Sequence, residues 1–216
     1  MQKIILLLIF CFFSLACTPQ DGLARDSKEL EKIKLFYNNI NTFSADIEQT
    51  LKHKETGNLE KRNGKIKFLK PAFIYWNTFK PNEEFLICEK NAIWDYFPDE
   101  QIVYKYPTHL LNNTHGILQI ITGADALDKN FKIVSSKIDG KYMNFTLLPK
   151  EPTTQLVEAN IWVDPDKGII TKGIITDFYG NTNEITLKNF KTDIRLSAKD
   201  FNFNPPKNVD IEDKTK

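Results

Sequence analysis

The side chains that could carry out catalysis or hold a metal are few and scattered along this sequence. The three histidines, His53, His109 and His115, include no pair spaced four residues apart and have no cysteine nearby. The spacing of a zinc site is therefore missing. The sequence also contains no Gly-x-Ser-x-Gly segment for a serine nucleophile and no glycine-rich phosphate loop. We therefore predict no catalytic residues, no metal site and no cofactor.

Two acidic segments come nearest to a chemical site. Asp164 to Gly168 resembles part of a calcium loop but lacks the remaining ligands, and a hairpin turn explains it better. Glu83 and Glu84 are adjacent carboxylates, but neighbouring strand residues point to opposite faces of a sheet. A hydrolase acting on lipids or glycans would need an acid pair that converges in a cavity. The sequence favours a binding protein over such an enzyme.

The cysteines predict no disulfide in the folded body. Cys11 lies in the apolar N-terminal run, Cys17 lies close behind it, and Cys88 stands alone on a predicted strand. We interpret Cys88 as a small hydrophobic residue of the sheet and not as a nucleophile or redox centre.

The N-terminus has the pattern of a secretion signal. Lys3 supplies a positive charge, and Ile4 to Phe13 form an apolar run of ten residues, too short to span a bilayer. Cleavage is predicted after Ala16 or after Ala24. Residues 1–24 are thus assigned to the signal peptide and residues 25–216 to a single domain.

The segment from Ser14 to Cys17 also resembles a bacterial lipoprotein signal. In that case Cys17 would become the acylated first residue of the mature protein. The segment departs from the pattern because Ser14 stands where such signals carry a branched apolar residue. Removal and lipidation of Cys17 both stay open.

Composition limits the classes of protein that remain. A chain of 216 residues with 41% hydrophobic residues can bury a sizeable core. Its 29 basic and 28 acidic residues give no electrostatic field that would attract nucleic acid.

The central stretch from Phe68 to Tyr106 reads as four short strands in series. They are FIYWNTF, EFLIC, AIWDYF and QIVYKY, separated by turns at Lys-Pro, Glu-Lys-Asn and Pro-Asp. Connections this short join antiparallel neighbours. Aromatic residues crowd these strands beyond what cross-strand pairing requires, so something apolar must cover them.

Seven further strands are predicted around this stretch. Alternation of apolar and polar residues marks Thr42 to Leu51 and the stretch around Ile66, and turn signals separate the others. The later segments are Phe131 to Ile138, Lys141 to Leu148, Gln155 to Val163, Ile169 to Asp177 and Asn183 to Phe190. Since open sheets rarely exceed about ten strands without curling, eleven strands predict a curved sheet with a concave face.

Two helical regions are available to fill that concave face. The first is predicted to begin at a capping box formed by Asp26 and Glu29, with apolar residues following at helical spacing. The second runs from Thr108 to Thr122, and Gly116 weakens it. It is either an ordinary surface helix or a mobile lid over an apolar cavity.

Five segments resemble, in order, the landmarks of the periplasmic outer-membrane lipoprotein carrier family, LolA. They cover nearly the whole mature chain and are FSADIEQT, FLKPAFIYW, KPNEEFLICEKNAIWDYFPDEQIVYKY, NFTLLPK and FNFNPPKNVDIEDK. The resemblance implies a mainly β fold with an α lid (α+β), an eleven-stranded antiparallel unclosed half β-barrel covered by short helices. It implies a periplasmic carrier that takes acyl chains of lipoproteins into its apolar interior, and no enzymatic activity.

One position departs from the family pattern. Members of the well-studied type have an Arg before the Pro of the third strand, where it fastens the lid by hydrogen bonds to backbone carbonyls, whereas this chain has Lys70 before Pro71. Lys can donate to carbonyls but lacks the planar fork of the guanidinium group. Lys70 is either a differently fastened lid contact or a solvated lysine at a strand end.

The resemblance also implies ligand contacts and partners. The predicted contacts with the acyl chains come from the sheet and from the lid, and they are Ile66, Trp76, Phe85, Trp94, Tyr96, Leu111 and Ile117. The predicted partners of this monomer are acylated lipoproteins, an inner-membrane lipoprotein-releasing ABC transporter complex and an outer-membrane acceptor. The alternatives are a membrane-anchored acceptor acylated at Cys17 or a lipid-sensing module of the same fold.

Overall fold

A computed structural model of the chain describes residues 20–110, 117–122 and 127–215. Cys17 and Leu111 lie outside these ranges, as does the side chain of Ile117. The predictions made for these groups therefore stay predictions.

Twelve strands make up one sheet in the described residues. Their bounds are β1 Thr42–Lys52, β2 Leu59–Leu69, β3 Phe73–Lys80, β4 Glu84–Cys88, β5 Ile93–Phe97, β6 Ile102–Tyr106, β7 Phe131–Asp139, β8 Tyr142–Pro149, β9 Glu158–Asp164, β10 Ile169–Thr176, β11 Thr182–Thr192 and β12 Asp210–Asp213. All eleven predicted strands are present. The second is longer than predicted because its polar first half, from Leu59, continues the hairpin with β1.

The strand order is β12-β6-β5-β4-β3-β2-β1-β11-β10-β9-β8-β7. Neighbours are antiparallel except β12, which runs parallel to β6. No pairing between described residues joins β7 to β12, so the sheet is open, as the half-barrel prediction requires.

The prediction of eleven antiparallel strands missed β12. This strand holds three acidic residues in four positions, and its Ile211 is 52% exposed. Such a strand buries no face, so it leaves no alternating pattern in the sequence. It pairs with β6 through the parallel strand register and through an ion pair of 3.6 Å between Asp213 and Lys105, and only the tertiary structure brings the two segments together.

Helix α1 spans Gln20–Asn39 and begins earlier than predicted. Asp26 lies inside it and does not cap its start, because an Asp-x-x-Glu spacing is equally compatible with a helix interior. The predicted apolar stripe is confirmed: Ile33, Tyr37 and Ile40 are buried in the core, with Phe36 packed against it. The backbone N–H of Ile170 on β10 donates to the Tyr37 hydroxyl at 3.4 Å.

After β6, the described residues include two short helices, α2 Ile117–Thr122 and α3 Leu127–Asn130. The first belongs to the predicted second helical region, and α3 was not predicted. Ile120 and Ile121 of α2 are fully buried, and Leu127 of α3 is also buried. Helices α1 and α2 both pack against β10, so the apolar core lies between the concave side of the sheet and these helices.

Candidate functional site

The register of the sheet places one row of side chains across four adjacent strand pairs on the concave face. Ile66 pairs with Trp76, Trp76 with Leu86, Leu86 with Asp95, and Asp95 with Tyr104. Directly paired residues of antiparallel strands point to the same side. Ile66 and Trp76, both predicted as ligand contacts, therefore share a face, and both are buried in the core.

The other predicted aromatic contacts lie on the opposite, convex face. Phe85 pairs with Tyr96, one register position away from the concave row, and their rings stack with centroids 5.9 Å apart. Trp94 also belongs to this face, since it pairs with Ile87. The structure thus separates Phe85, Trp94 and Tyr96 from Ile66 and Trp76. In these strands, aromatic residues stand at the positions that point to the concave face and also at those that point to the convex face. The alternation of residue types therefore could not show which face is which.

The C-terminal segment covers the convex aromatic residues. Phe203 packs against Trp94 and Tyr96, with ring centroids 5.6 and 5.7 Å apart, and Phe201 is 1% exposed against Phe73. This segment is the apolar cover that the aromatic stretch requires. The Phe-x-Phe spacing of Phe201 and Phe203 is the sequence signal that could have assigned it.

A cavity of about 160 Å³ lies between the concave face and α2. Trp76, Leu86 and Leu118 form its apolar walls, and Gln49, Arg62, Thr78 and Glu84 supply its polar lining. Leu118 was not among the predicted contacts. A space of this size holds about one benzene-sized molecule. Among the described residues, Ile66 and Trp76 on the concave face are packed in the core beside this cavity.

A second cavity of about 520 Å³ opens where β1, β2, β10 and β11 meet at one end of the sheet. Its volume falls within the usual range of small-molecule sites, roughly 300 to 1,000 Å³. Leu51, Leu59 and Ile175 give it an apolar lining, and the polar lining includes Gln155 and Asn183.

Partly buried charged side chains lie on the concave side of β2, β4 and β5. Arg62 Nη1 contacts Glu84 Oε2 at 3.1 Å, whereas Asp95 Oδ1 is buried without a hydrogen-bond partner in the described residues. Burial, and then the negative charge of Glu84, raises the pKa of Asp95 to about 7. Asp95 lies one diagonal step from Glu84 in the register. Of these two carboxyls, Glu84 lines the smaller cavity and Asp95 is not among its lining residues.

Cys88 is buried and forms no disulfide. Burial, and then the charge of Asp95, raises the pKa of its thiol to about 12. A thiol that stays protonated is a poor nucleophile, which favours the packing role expected for Cys88.

Lys70 joins the end of β2 to the last turn of α1. Its Nζ donates to the carbonyl oxygen of Tyr37 at 2.6 Å and to that of Asn38 at 3.0 Å. The last carbonyls of a helix have no partner within the helix, and a cation there is also favoured by the helix dipole. Lys70 thus contacts the helix end through two hydrogen bonds, and its role in fastening a lid stays a prediction.

The described residues were also compared with the requirements of a metal site and of a membrane-spanning helix. No three His, Cys, Asp or Glu side chains among them are grouped so as to hold a metal ion. Within the same residues, no helix combines the length and apolar character needed to cross a bilayer.

The profile of the family described as outer membrane lipoprotein carrier protein LolA matches residues 38–204. This chain belongs to the LolA family. The match covers all eleven predicted strands and ends just before β12.

Similar proteins agree with the LolA assignment. An outer-membrane lipoprotein carrier protein of Pectobacterium carotovorum is 30% identical over 177 residues, which cover 82% of this chain and 83% of that protein. A carrier of the same name from Francisella tularensis is 26% identical over 218 residues, covering 100% of this chain and 99% of that protein. Among solved structures, an uncharacterized conserved protein from Thermus thermophilus has a TM-score of 0.57 at 11% identity, covering 88% of this chain and 99% of that one. The last likeness concerns the fold alone.

Proposed function

We propose that this LolA-family protein carries lipoproteins through the periplasm by holding their acyl chains between the concave face of the sheet and helices α1 and α2. The observation that carries the proposal is the construction of the core. One wide open sheet contributes its concave side, and in the described residues helices α1 and α2, not a second sheet, close the other side. Short helices can move away from a sheet at smaller cost than another sheet could, because they share no strand hydrogen bonds with it.

The acyl chains would replace side chains that now fill the space. Leu118, Ile120 and Ile121 of α2 occupy the region above Trp76 and β10, and a cavity of about 160 Å³ beside Leu118 is a starting point for opening. Moving α2 outward would admit a chain against Ile66, Trp76 and Leu86. In this proposal Leu111 and Ile117 keep their predicted role as contacts from the helical cover.

The energy balance suits a carrier that must also release its cargo. A chain of about fifteen methylene groups left in water is disfavoured by roughly 12 kcal/mol, at about 0.8 kcal/mol for each group. Binding offsets much of this cost, but it also displaces the apolar residues of α2 from the core. The net affinity is then lower than the burial alone would give, so an acceptor can remove the chain.

The partners follow from this function. The donor would be an inner-membrane lipoprotein-releasing ABC transporter complex, and delivery would go to an outer-membrane acceptor, with the carrier acting as a periplasmic monomer. If Cys17 is lipidated, the same fold would instead act as a tethered acceptor. Mass spectrometry of the mature N-terminus separates these two outcomes, since the acylated form carries the added lipid mass on Cys17.

The hydrolase alternative differs from the carrier proposal in whether ester bonds of the bound lipid are cleaved. Glu84 is held by Arg62, and the raised pKa of Asp95 keeps a proton on part of its population near neutral pH. Under the carrier proposal this acid pair is not catalytic. Captured lipopeptide should be recovered with its ester bonds intact after long incubation.

Capture of a diacylated lipopeptide by the purified mature protein tests the proposal. Leu118→Glu puts a charge into the cavity lining, and we expect at least about tenfold weaker capture because an acyl chain would have to desolvate that charge. Leu148→Glu is the matched control, since Leu148 is 38% exposed on the other face of β8. If both variants are folded and capture as well as the unmodified protein, the concave face is not the acyl site.

A further inference from the structure

The turn between β10 and β11 carries the two most exposed large hydrophobic side chains of the described residues. Phe178 is 70% exposed and Tyr179 is 72% exposed. Their rings touch each other edge to face, with centroids 5.6 Å apart and an interplanar angle of 87°. We call this pair the aromatic tip.

Hydrogen bonds within the turn fix the aromatic tip in place. The carboxylate of Asp177 accepts bonds from the backbone N–H groups of Tyr179, at 2.9 Å, and Asn181, at 2.8 Å. The side-chain amide of Asn181 donates to the other Asp177 oxygen at 2.8 Å. Gly180 adopts a φ of 79°, which few residues other than glycine tolerate.

Neighbouring connections also hold the turn. The backbone N–H of Phe178 donates to the Thr154 carbonyl at 3.0 Å, and that of Lys54 donates to Asn181 Oδ1 at 2.9 Å. The aromatic tip is therefore presented by a rigid scaffold. Nothing in this bonding pattern requires aromatic side chains, since polar residues serve equally well in such a turn.

The aromatic tip stands at the entrance of the larger cavity. Asp177 and Asn181, which flank the tip, both line the cavity of about 520 Å³. Leu59, which is 59% exposed, lines the same cavity from β2. Exposed apolar groups thus border the opening on two sides.

The exposed area and the chemistry of the aromatic tip indicate which kind of partner it can bind. Two rings of this kind offer roughly 200 to 350 Å² of exposed surface, well below the roughly 800 Å² that each partner buries in a standard protein interface. Adjacent aromatic rings with one hydroxyl are suited to the interface of a lipid bilayer, where Trp and Tyr side chains are enriched.

Charge around the tip is close to balanced. Lys52, Glu60 and Asp177 line the cavity beside it, and Lys54 on the β1–β2 connection bonds Asn181 of the same turn. Attraction to anionic lipid is therefore expected to contribute little, and apolar insertion should dominate.

The geometry points to a membrane-docking element: the Phe178 and Tyr179 rings insert into the surface of a lipid bilayer and bring the entrance of the larger cavity to that surface. Binding of the aromatic tip to vesicles does not depend on the proposed carrier function. Only the suggestion that acyl chains use the entrance of the larger cavity rests on that function.

Vesicle flotation with the mature protein, in the absence of any lipoprotein, tests this element. Vesicles of phosphatidylcholine alone and vesicles that also contain phosphatidylglycerol are compared. The double variant Phe178→Ser with Tyr179→Ser should lose at least about tenfold in vesicle partitioning on both. The control is Ile138→Ser with Ile211→Ser, which removes two exposed apolar side chains, 59% and 52% exposed, outside the cavity.

The outcomes separate the alternatives. The proposal is overturned if the tip variant still binds vesicles or if the control loses binding equally. Binding that occurs only with phosphatidylglycerol also overturns it.

In a second measurement, Tyr179→Trp is combined with brominated lipids. Bromine quenching of the added emission supports insertion, whereas vesicle binding without such quenching overturns it. Lipopeptide capture from micelles should be unchanged in the tip variant, so failure of docking and failure of the carrier function give different results.

Discussion

The side-chain amide of Gln49 donates a hydrogen bond of 2.9 Å to the side-chain oxygen of Asn183. Gln49 lines the smaller cavity under α2, and Asn183 lines the larger cavity at the end of the sheet. The bond therefore crosses the boundary between the two spaces. Under the proposed function, breaking this pair would connect the two spaces.

We expect Asn183→Ala to join the two cavities. An apolar fluorescent dye should then bind several-fold more tightly, while the free energy of unfolding falls by about 1 kcal/mol for the lost hydrogen bond. Dye titration and thermal unfolding measure the two effects. Asn160→Ala is the control, because Asn160 accepts a 2.9 Å bond from Thr146 in a side-chain pair outside both cavities. A similar gain in dye binding in the control would show that general loosening, and not the boundary, is responsible.

The contact of Lys70 with the end of α1 gives a second prediction. Lys70→Met should lower the free energy of unfolding by about 1 to 3 kcal/mol, because two charge-assisted bonds to helix carbonyls are lost. Hydrogen exchange should accelerate at the Ile40 amide, which bonds the Phe36 carbonyl in the last turn of the helix. If lid opening depends on this fastening, lipopeptide capture should also become faster.

Two variants accompany the Lys70 test. Lys70→Arg keeps a donor at the same place and should restore most of the stability. Lys65→Met removes a lysine whose ion pair with Asp46 is 3.8 Å long and exposed, so it should change stability by less than about 1 kcal/mol. Equal losses from Lys70→Met and Lys65→Met would rule out a special role for the helix contact.

Asp95 gives a prediction about pH. Its pKa is about 7 in the folded protein, above the ordinary value of 3.8, so the folded state holds a proton more firmly than the unfolded state does. The stability contributed by the protonated form is complete below about pH 4 and is lost as the pH rises through about 7. We expect Asp95→Asn to remove this loss.

The measurement is the free energy of unfolding between pH 4 and 8. Relative to the unmodified protein, Asp95→Asn should gain of the order of 2 kcal/mol in stability between pH 5 and 8, a figure reduced for partial solvent access. Asp99→Asn, at an exposed site in the β5–β6 turn, is the control substitution. An unchanged profile for Asp95→Asn would mean that its carboxyl is solvated and ordinary.

The convex face shows where sequence and structure differ. The sequence contains a dense aromatic stretch and a closing Phe-x-Phe segment, and the stretch predicts ligand contacts at Phe85, Trp94 and Tyr96. The structure instead brings Phe203 onto Trp94 and Tyr96 from more than one hundred residues further along the chain. Composition cannot distinguish an aromatic surface that waits for a ligand from one that is covered by another part of the same chain.

Local patterns determined the strand set and the apolar stripe of α1, and they predicted the secretion signal, because these features depend on the spacing of residues that are neighbours in sequence. The family segments added the half-barrel and its expected ligand class. Only the tertiary structure decided which aromatic residues face the core, that Lys70 reaches the carbonyls of α1, and that Gln49 meets Asn183. A shift of one residue in strand register reverses every side chain, and long-range contacts of this kind are set by the packing of the whole sheet.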